Sequence, residues 1–244
     1  MENKNNLMHY PVFSGELLDI SITDPLQVIH TINAYSYVLA ERMPIFKRAL
    51  QNADILLADG FPIVFAAKIL QKRSITKIAG ADLFLYLMNN LEKLKGRVFF
   101  LGSSKATLSI IKKRIAEDYP HCTVTTFSPP YKTVFSEEDS NEMLSKINDF
   151  QPDLVFVGMT APKQEMWVEI YKDRINAKAV CSIGAVFDFY AGTIKRSPKW
   201  MIAFKLEWFY RLKNEPKRMW KRYLVYSPLF FWDLLMFFLK IKKD

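Results

Sequence analysis

Arg97-Val98-Phe99-Phe100-Leu101-Gly102-Ser103-Ser104 decides the fold. An apolar run suited to a buried strand ends in a glycine. Ser103 then offers an N-cap for a helix reaching about Asp118. The unit recurs along the chain. Val28–Ile32 is apolar and β-branched and precedes helical spacing over Asn33–Leu50. Asp54–Ala58 ends in Asp59-Gly60, before helical stretches at Phe61–Gln71 and Ala81–Leu94. Thr123–Phe127 is followed by Ser136, which caps a helix to Asp149. Leu154–Val157 ends in Gly158 ahead of helical Ala161–Tyr171, and Ala179–Ile183 ends in Gly184. Strands alternating with helices specify an α/β fold with a mostly parallel sheet flanked by helices. The strands lack strict period-two alternation, as expected where both faces are covered.

Charge divides the chain unevenly. Residues 195–244 hold 13 Lys/Arg against 4 Asp/Glu, which carries the whole net charge of +9, and four of the five tryptophans. Residues 1–194 are neutral. Ser197-Pro198 marks the seam, giving a core over residues 1–195 and a basic, aromatic appendage over 196–244. Such an appendage suits an anionic partner. Its most apolar segment, Tyr223–Leu239, is interrupted by Pro228 and Asp233 and reads as interfacial rather than spanning. Cys122 and Cys181 match no metal spacing and read as reduced thiols. The polar start Met1-Glu2-Asn3-Lys4 lacks the apolar core of a signal peptide. Both features fit a cytoplasmic protein.

In open parallel sheets, ligands bind beyond the carboxyl ends of the strands. Four expected strands end there in glycine-containing turns, which admit a phosphate or serve as plain connections. None is a Walker loop or a full G-x-G-x-x-G. Asp59 stands at a strand end between apolar runs, where it fits either a helix N-cap or a general base with a raised pKa. Pro162 suits a first helical turn, with Gln164 and Glu165 projecting toward the same sheet edge or into solvent. Asp188 and Arg196 flank the loop Ala191-Gly192-Thr193 and fit a surface ion pair as well as a site. In the tail, Arg211, Arg218 and Arg222 are spaced seven and four apart, with Pro216 expected to break the helix between them. Clustered arginines suit bidentate phosphate contact.

In order and spacing these segments resemble the WecG/TagA/CpsF family of bacterial glycosyltransferases over about Thr31 to Ser227. The likeness rests on Thr31-x-Asn33, Ala53-Asp54 leading to Asp59-Gly60, Gly80-x-Asp82-Leu83 and Phe100-Leu101-Gly102. It continues through Ala161-Pro162-Lys163-Gln164-Glu165, Gly184-Ala185-Val186-Phe187-Asp188 and Arg196-x-Pro198-x-Trp200, and closes on Glu207-Trp208 to Arg211-Leu212 and Glu215-Pro216-x-Arg218. The resemblance implies a Rossmann-like core. It implies transfer of a sugar, of the N-acetylmannosamine type or a related hexose, from a UDP-sugar to a sugar on an undecaprenyl-diphosphate carrier. Transfer would proceed with inversion and without a metal or other cofactor, at the inner face of the bacterial membrane, in teichoic acid, capsule or polysaccharide synthesis.

By the same resemblance Asp59 is the general base, and Thr31, Asn33 and Gln164 line its pocket. Gly102, Glu165 and Asp188 lie on the nucleotide side, while Arg196, Arg211, Arg218 and Arg222 hold diphosphate. Lys77 departs from the family's usual arginine, replacing a forked contact to phosphate or acceptor with a point charge. Thr160 replaces a common glycine and would narrow the donor pocket. A competing reading is a membrane adaptor or nucleic-acid binder that uses the tail without catalysis. The apolar run Leu229–Leu239 suits acyl chains better than bases, which argues against nucleic acid. The same aromatic tail offers a surface for self-association where no lipid covers it.

Overall fold

The computed structural model describes residues 3–22, 25–195, 197–204 and 206–241, without the side chains of 199 and 203. Its strands are β1 (Lys4–Leu7), β2 (Tyr10–Phe13), β3 (Gln27–Ile32), β4 (Ile55–Ala58), β5 (Arg97–Gly102), β6 (Thr123–Phe127), β7 (Leu154–Gly158) and β8 (Ala179–Ser182). They form one sheet in the order β1-β2-β4-β3-β8-β7-β5-β6. Every pairing is parallel except β1 with β2. The expected α/β architecture is therefore present. Strand β3 connects onward to β4 on one side, whereas β8 is reached from β7 on the other. The crevice between β3 and β8 is thus a topological switch point.

Eight helices accompany the sheet through residue 191. They are α1 (Ala34–Ala40), α2 (Pro44–Gln51), α3 (Phe61–Gln71), α4 (Gly80–Lys93), α5 (Lys105–Asp118), α6 (Glu137–Phe150), α7 (Lys163–Tyr171) and α8 (Val186–Ala191). Neighbouring strand residues point to opposite faces. Phe100, Phe156 and Cys181 enter a cluster with Leu83, Leu87 and Ile111 of α4 and α5, while Phe99, Val155 and Val180 join Leu144, Ile147 and Val168 of α6 and α7. Coverage on both faces explains the continuous apolar strands.

Three local expectations shift by a few residues. Gly102 (φ +113°) and Ser103 (φ +61°) turn the chain off β5, so the cap falls on Ser104, whose hydroxyl accepts from Thr107 N–H at 3.1 Å. The stretch Asn33–Leu50 is two helices, because Pro44 cannot donate to a preceding turn and starts α2 instead. Pro162 follows a cis peptide bond and stands at the N-cap of α7, ahead of the first turn. The β1–β2 hairpin was not foreseen, since Lys4-Asn5-Asn6-Leu7 carries no strong strand signal.

The C-terminal residues fold as short helices: α9 (Lys199–Ala203), α10 (Glu207–Asn214), α11 (Pro216–Trp220), a π-helical segment (Lys221–Tyr226) and α12 (Ser227–Phe238). Pro216 does separate α10 from α11. Helix α12 is apolar on nearly every side. Phe230, Leu234 and Phe237, spaced four and three apart, join the core of Tyr37, Phe46 and Ala66 beneath α1, α2 and α3. Burying each contributes about 1.5–3 kcal/mol. Phe231, Trp232, Leu235 and Phe238 remain exposed on its other side. Among the described residues no helix is long and apolar enough to cross a membrane.

Candidate active site

The carboxyl ends of β3, β4, β7 and β8 open into a cleft of about 320 Å³, roofed by α11 and the π-helical segment. Thr31, Asn33, Asp59, Gln164 and Glu165 line it from the body, and Arg211, Arg218 and Arg222 from the tail. Eight of the twelve residues singled out in the sequence thus meet in one cavity, although 191 positions separate Thr31 from Arg222.

Strand ends hold Thr31, Asn33 and Asp59, and the first turn of α7 holds Gln164 and Glu165. Asn33 caps α1, its side-chain oxygen accepting from Ser36 N–H at 3.1 Å. Asp59 follows β4 and donates its backbone N–H to Ile32 O at 2.9 Å. The N-cap of α3 is Gly60 (φ +129°), so the Asp59 carboxylate is free of the capping role and keeps a narrow exposure into the cleft. Burial lifts its pKa above the usual carboxylate range. Lys77 opposes that rise, Glu207 adds to it, and Arg211 and Arg222 oppose it.

Gln164 and Glu165 form a buried pair. The Gln164 side-chain oxygen accepts from Met159 N–H at 3.1 Å, and its amide donates to Glu165 Oε1 at 2.8 Å. Glu165 Oε2 is buried with no hydrogen-bond partner among the described residues. Burial pushes the Glu165 carboxyl up to about 7, against the pull of the Gln164 hydrogen bond and of Arg222.

The tail supplies the opposite charge. Arg211 lies 5.7 Å over the Phe189 ring, and its Nε and Nη2 are buried with no partner among the described residues. Arg222 lies 4.6 Å over the Tyr35 ring. Burial, and then the charge of Arg211, weaken its hold on its proton. Two guanidinium groups that repel each other, one with unused donors, make a seat for an anion with several oxygens. Arg218 is more exposed and is paired with Glu215 at 2.6 Å.

Of the other four singled-out residues, three fall elsewhere. Lys77 does not line the cleft and pairs with Glu207 at 3.3 Å. Gly102 closes β5 two strands from β8, where an added Cβ would stand 2.6 Å from Gly158 O. Asp188 sits on α8, half-buried, accepting from the Thr193 hydroxyl at 3.4 Å, with Arg218 as its main opposing cation. Arg196 lies outside the described residues. Sequence reasoning missed Tyr35, Tyr226 and Lys221 in the lining. Tyr35, two residues past Asn33 at a strand end, was the one with a positional signal. No three His, Cys, Asp or Glu side chains cluster as a metal's ligand set among the described residues.

Comparison with known proteins fits this geometry. Residues 15–244 match the glycosyl transferase WecG/TagA/CpsF family. The chain belongs to this family. Among curated relatives, a Bacillus spizizenii protein is 34% identical over 185 residues, 76% of this chain and 70% of its own length. A Bacillus subtilis protein is 32% identical over 197 residues, covering 81% and 75%. A Staphylococcus aureus protein is 26% identical over 194 residues, covering 80% and 74%. All three are named N-acetylglucosaminyldiphosphoundecaprenol N-acetyl-beta-D-mannosaminyltransferase. The family match extends to the last residue, so it includes the tail that roofs the cleft.

Proposed function

We propose that this WecG/TagA/CpsF glycosyltransferase moves an N-acetylmannosamine-type hexose from a UDP-sugar to N-acetylglucosamine on a polyprenyl diphosphate, with inversion. The observation that carries the reading is that one cleft is lined by Asp59, a carboxylate of raised pKa, and by Arg211, whose Nε and Nη2 are buried with no partner among the described residues. In this reaction the acceptor hydroxyl attacks the anomeric carbon as the bond to the UDP oxygen breaks. Asp59 takes the hydroxyl proton, and a pKa raised toward the working pH makes it a better base than an exposed aspartate. The electron pair leaves on the diphosphate, where Arg211, Arg222 and Arg218 stabilise the charge that develops. One displacement from the face opposite UDP inverts the anomeric centre. Thr31, Asn33 and Gln164 orient the sugars, and Glu165 offers its free oxygen to a sugar polar group. Gly102 and Asp188 serve the nucleotide along the β5–β7 end of the sheet.

Residues 1–195 then act as the catalytic core, and residues 196–244 complete it at the inner face of the cell membrane. Exposed Trp200, Trp220, Trp232 and Phe238, interspersed with basic residues, support a lipid surface as partner. The same exposed face supports self-association when lipid is absent. Asp59→Asn tests the chemistry. With UDP-N-acetylmannosamine and a polyprenyl-diphosphate N-acetylglucosamine, turnover should fall by roughly 10²–10⁴ while the melting temperature holds or rises. Turnover at the wild-type rate in the folded variant would remove Asp59 from the role of base.

A further inference from the structure

Helix α10 carries Arg211 into the cleft, yet no residue of α10 is fully buried and no side chain caps its N-terminus. Apolar packing alone therefore does little to fix where this helix sits. Its first residue, Glu207, reaches across 130 positions of sequence to Lys77, with Nζ 3.3 Å from Oε2. Their side chains are only 25% and 33% exposed, so the pair is partly shielded from solvent. Glu207 and Arg211 are four residues apart on one helix and share a face. Holding Glu207 thus sets the position of Arg211 one turn later.

We propose that Lys77 and Glu207 are positioning residues for transfer: their ion pair seats α10 against the body and so delivers Arg211 beside Asp59. The proposal rests on the transferase reading above and gives Lys77 a role other than phosphate contact. The groups that act on Asp59 are Lys77, Glu207, Arg211, Arg222 and Tyr223. Lys77 thereby serves two carboxylates, favouring the charged form of Asp59 while binding Glu207. The arrangement links seating of the tail to readiness of the base. An ion pair still reached by solvent, as this one is, adds little to stability. Its consequence for rate is larger, because a displacement of about 1 Å at a charge-stabilising group can cost up to about 10²-fold.

The test is a double-mutant cycle in the full chain with Lys77→Met, Glu207→Gln and both together. The substrates are UDP-N-acetylmannosamine and a polyprenyl-diphosphate N-acetylglucosamine. Each single change should lower kcat roughly tenfold, and the double variant should be no worse than either single one. Lys77→Arg, which keeps the charge, should retain most of the rate. The acid limb of kcat/KM should move to higher pH in Lys77→Met and to lower pH in Glu207→Gln, since the two charges act on Asp59 with opposite sign. A merely structural loosening would move both limbs alike, and that result would overturn the proposal. Limited trypsin cleavage at Lys213 and Lys217 supplies a readout independent of turnover and should accelerate equally in all three variants. Coupled cleavage without turnover in the wild type would retain the seating role and overturn the transferase reading. Turnover with additive effects would overturn the seating role alone.

Discussion

The two halves of the cleft leave their charges in different states. On the body side, Gln164 holds one oxygen of Glu165, and burial pushes both Glu165 and Asp59 toward the protonated form. On the tail side, Arg211 and Arg222 are cations by chemistry, and Arg211 keeps two buried nitrogens without a partner among the described residues. The body's two carboxyls can hold or take a proton, whereas the tail's arginines can only stabilise negative charge. That difference suits a reaction that releases a proton at one end and a diphosphate at the other. The tail is itself divided, because α12 buries one stripe in the body and leaves another uncovered.

The largest expected effect tests this division of α12. Phe230 is fully buried, whereas Trp232 is 60% exposed. Phe230→Ala should destabilise by about 3–5 kcal/mol in urea unfolding. Trp232→Ala should stay within about 0.5 kcal/mol. Co-sedimentation with anionic phospholipid vesicles should show the opposite ranking, with the Trp232 variant losing more binding while still folded. Equal vesicle binding by wild type and Trp232→Ala would argue that the exposed stripe is not the lipid face.

Arg211→Met sharpens the contrast between the halves. Turnover should drop by about 10²–10³ if Arg211 stabilises the leaving diphosphate. Stability should hold or rise, because the substitution removes a partly buried guanidinium whose Nε and Nη2 have no partner among the described residues. A large loss of stability with unchanged kcat would assign Arg211 to the fold instead.

On the body side, Glu165→Gln should change how stability depends on pH. The folded pKa of about 7 lies above the ordinary 4.5. Between those values the unfolded chain releases a proton that the folded protein keeps. Stability therefore falls as pH rises through this window and levels off above it. At about 1.4 kcal/mol per unit, the cost at pH 8 is roughly 3 kcal/mol. Gln can still accept from Gln164, so the variant should lose this slope and be the more stable protein at pH 8. Parallel stability curves for the two proteins from pH 5 to 8 would show that Glu165 is ionised throughout.

Much of this was legible in the sequence because parallel strands end in glycine turns and keep their apolar runs intact. Asp59 was visible as a polar residue at a strand end, and Gln164 and Glu165 as polar residues in the first turn of a helix. The arginines were visible as a charge imbalance. Which way α12 turns was not, since Phe230 and Phe231 are equal in composition and differ only through packing against Tyr37 and Phe65. The Lys77–Glu207 contact was hidden for a related reason: nothing local marks a pairing across 130 positions. Only the resemblance singled out Lys77, as a contact to phosphate or acceptor, and it carries no hint of a partner on α10.

Arg218 marks the edge of the tail's cationic half and should give the smallest effect. It lines the cleft but is exposed and already paired with Glu215 three residues earlier on the chain. Solvent screens such a charge, and the neighbouring carboxylate cancels part of it. Arg218→Ala should therefore lower kcat by less than about tenfold, with a stability change under about 1 kcal/mol. Its contribution should also shrink in high salt, whereas that of the more enclosed Arg211 should persist. If Arg218→Ala proved as damaging as Arg211→Met at both low and high salt, burial would not be what ranks the arginines. The diphosphate would then sit nearer Arg218 than Arg211.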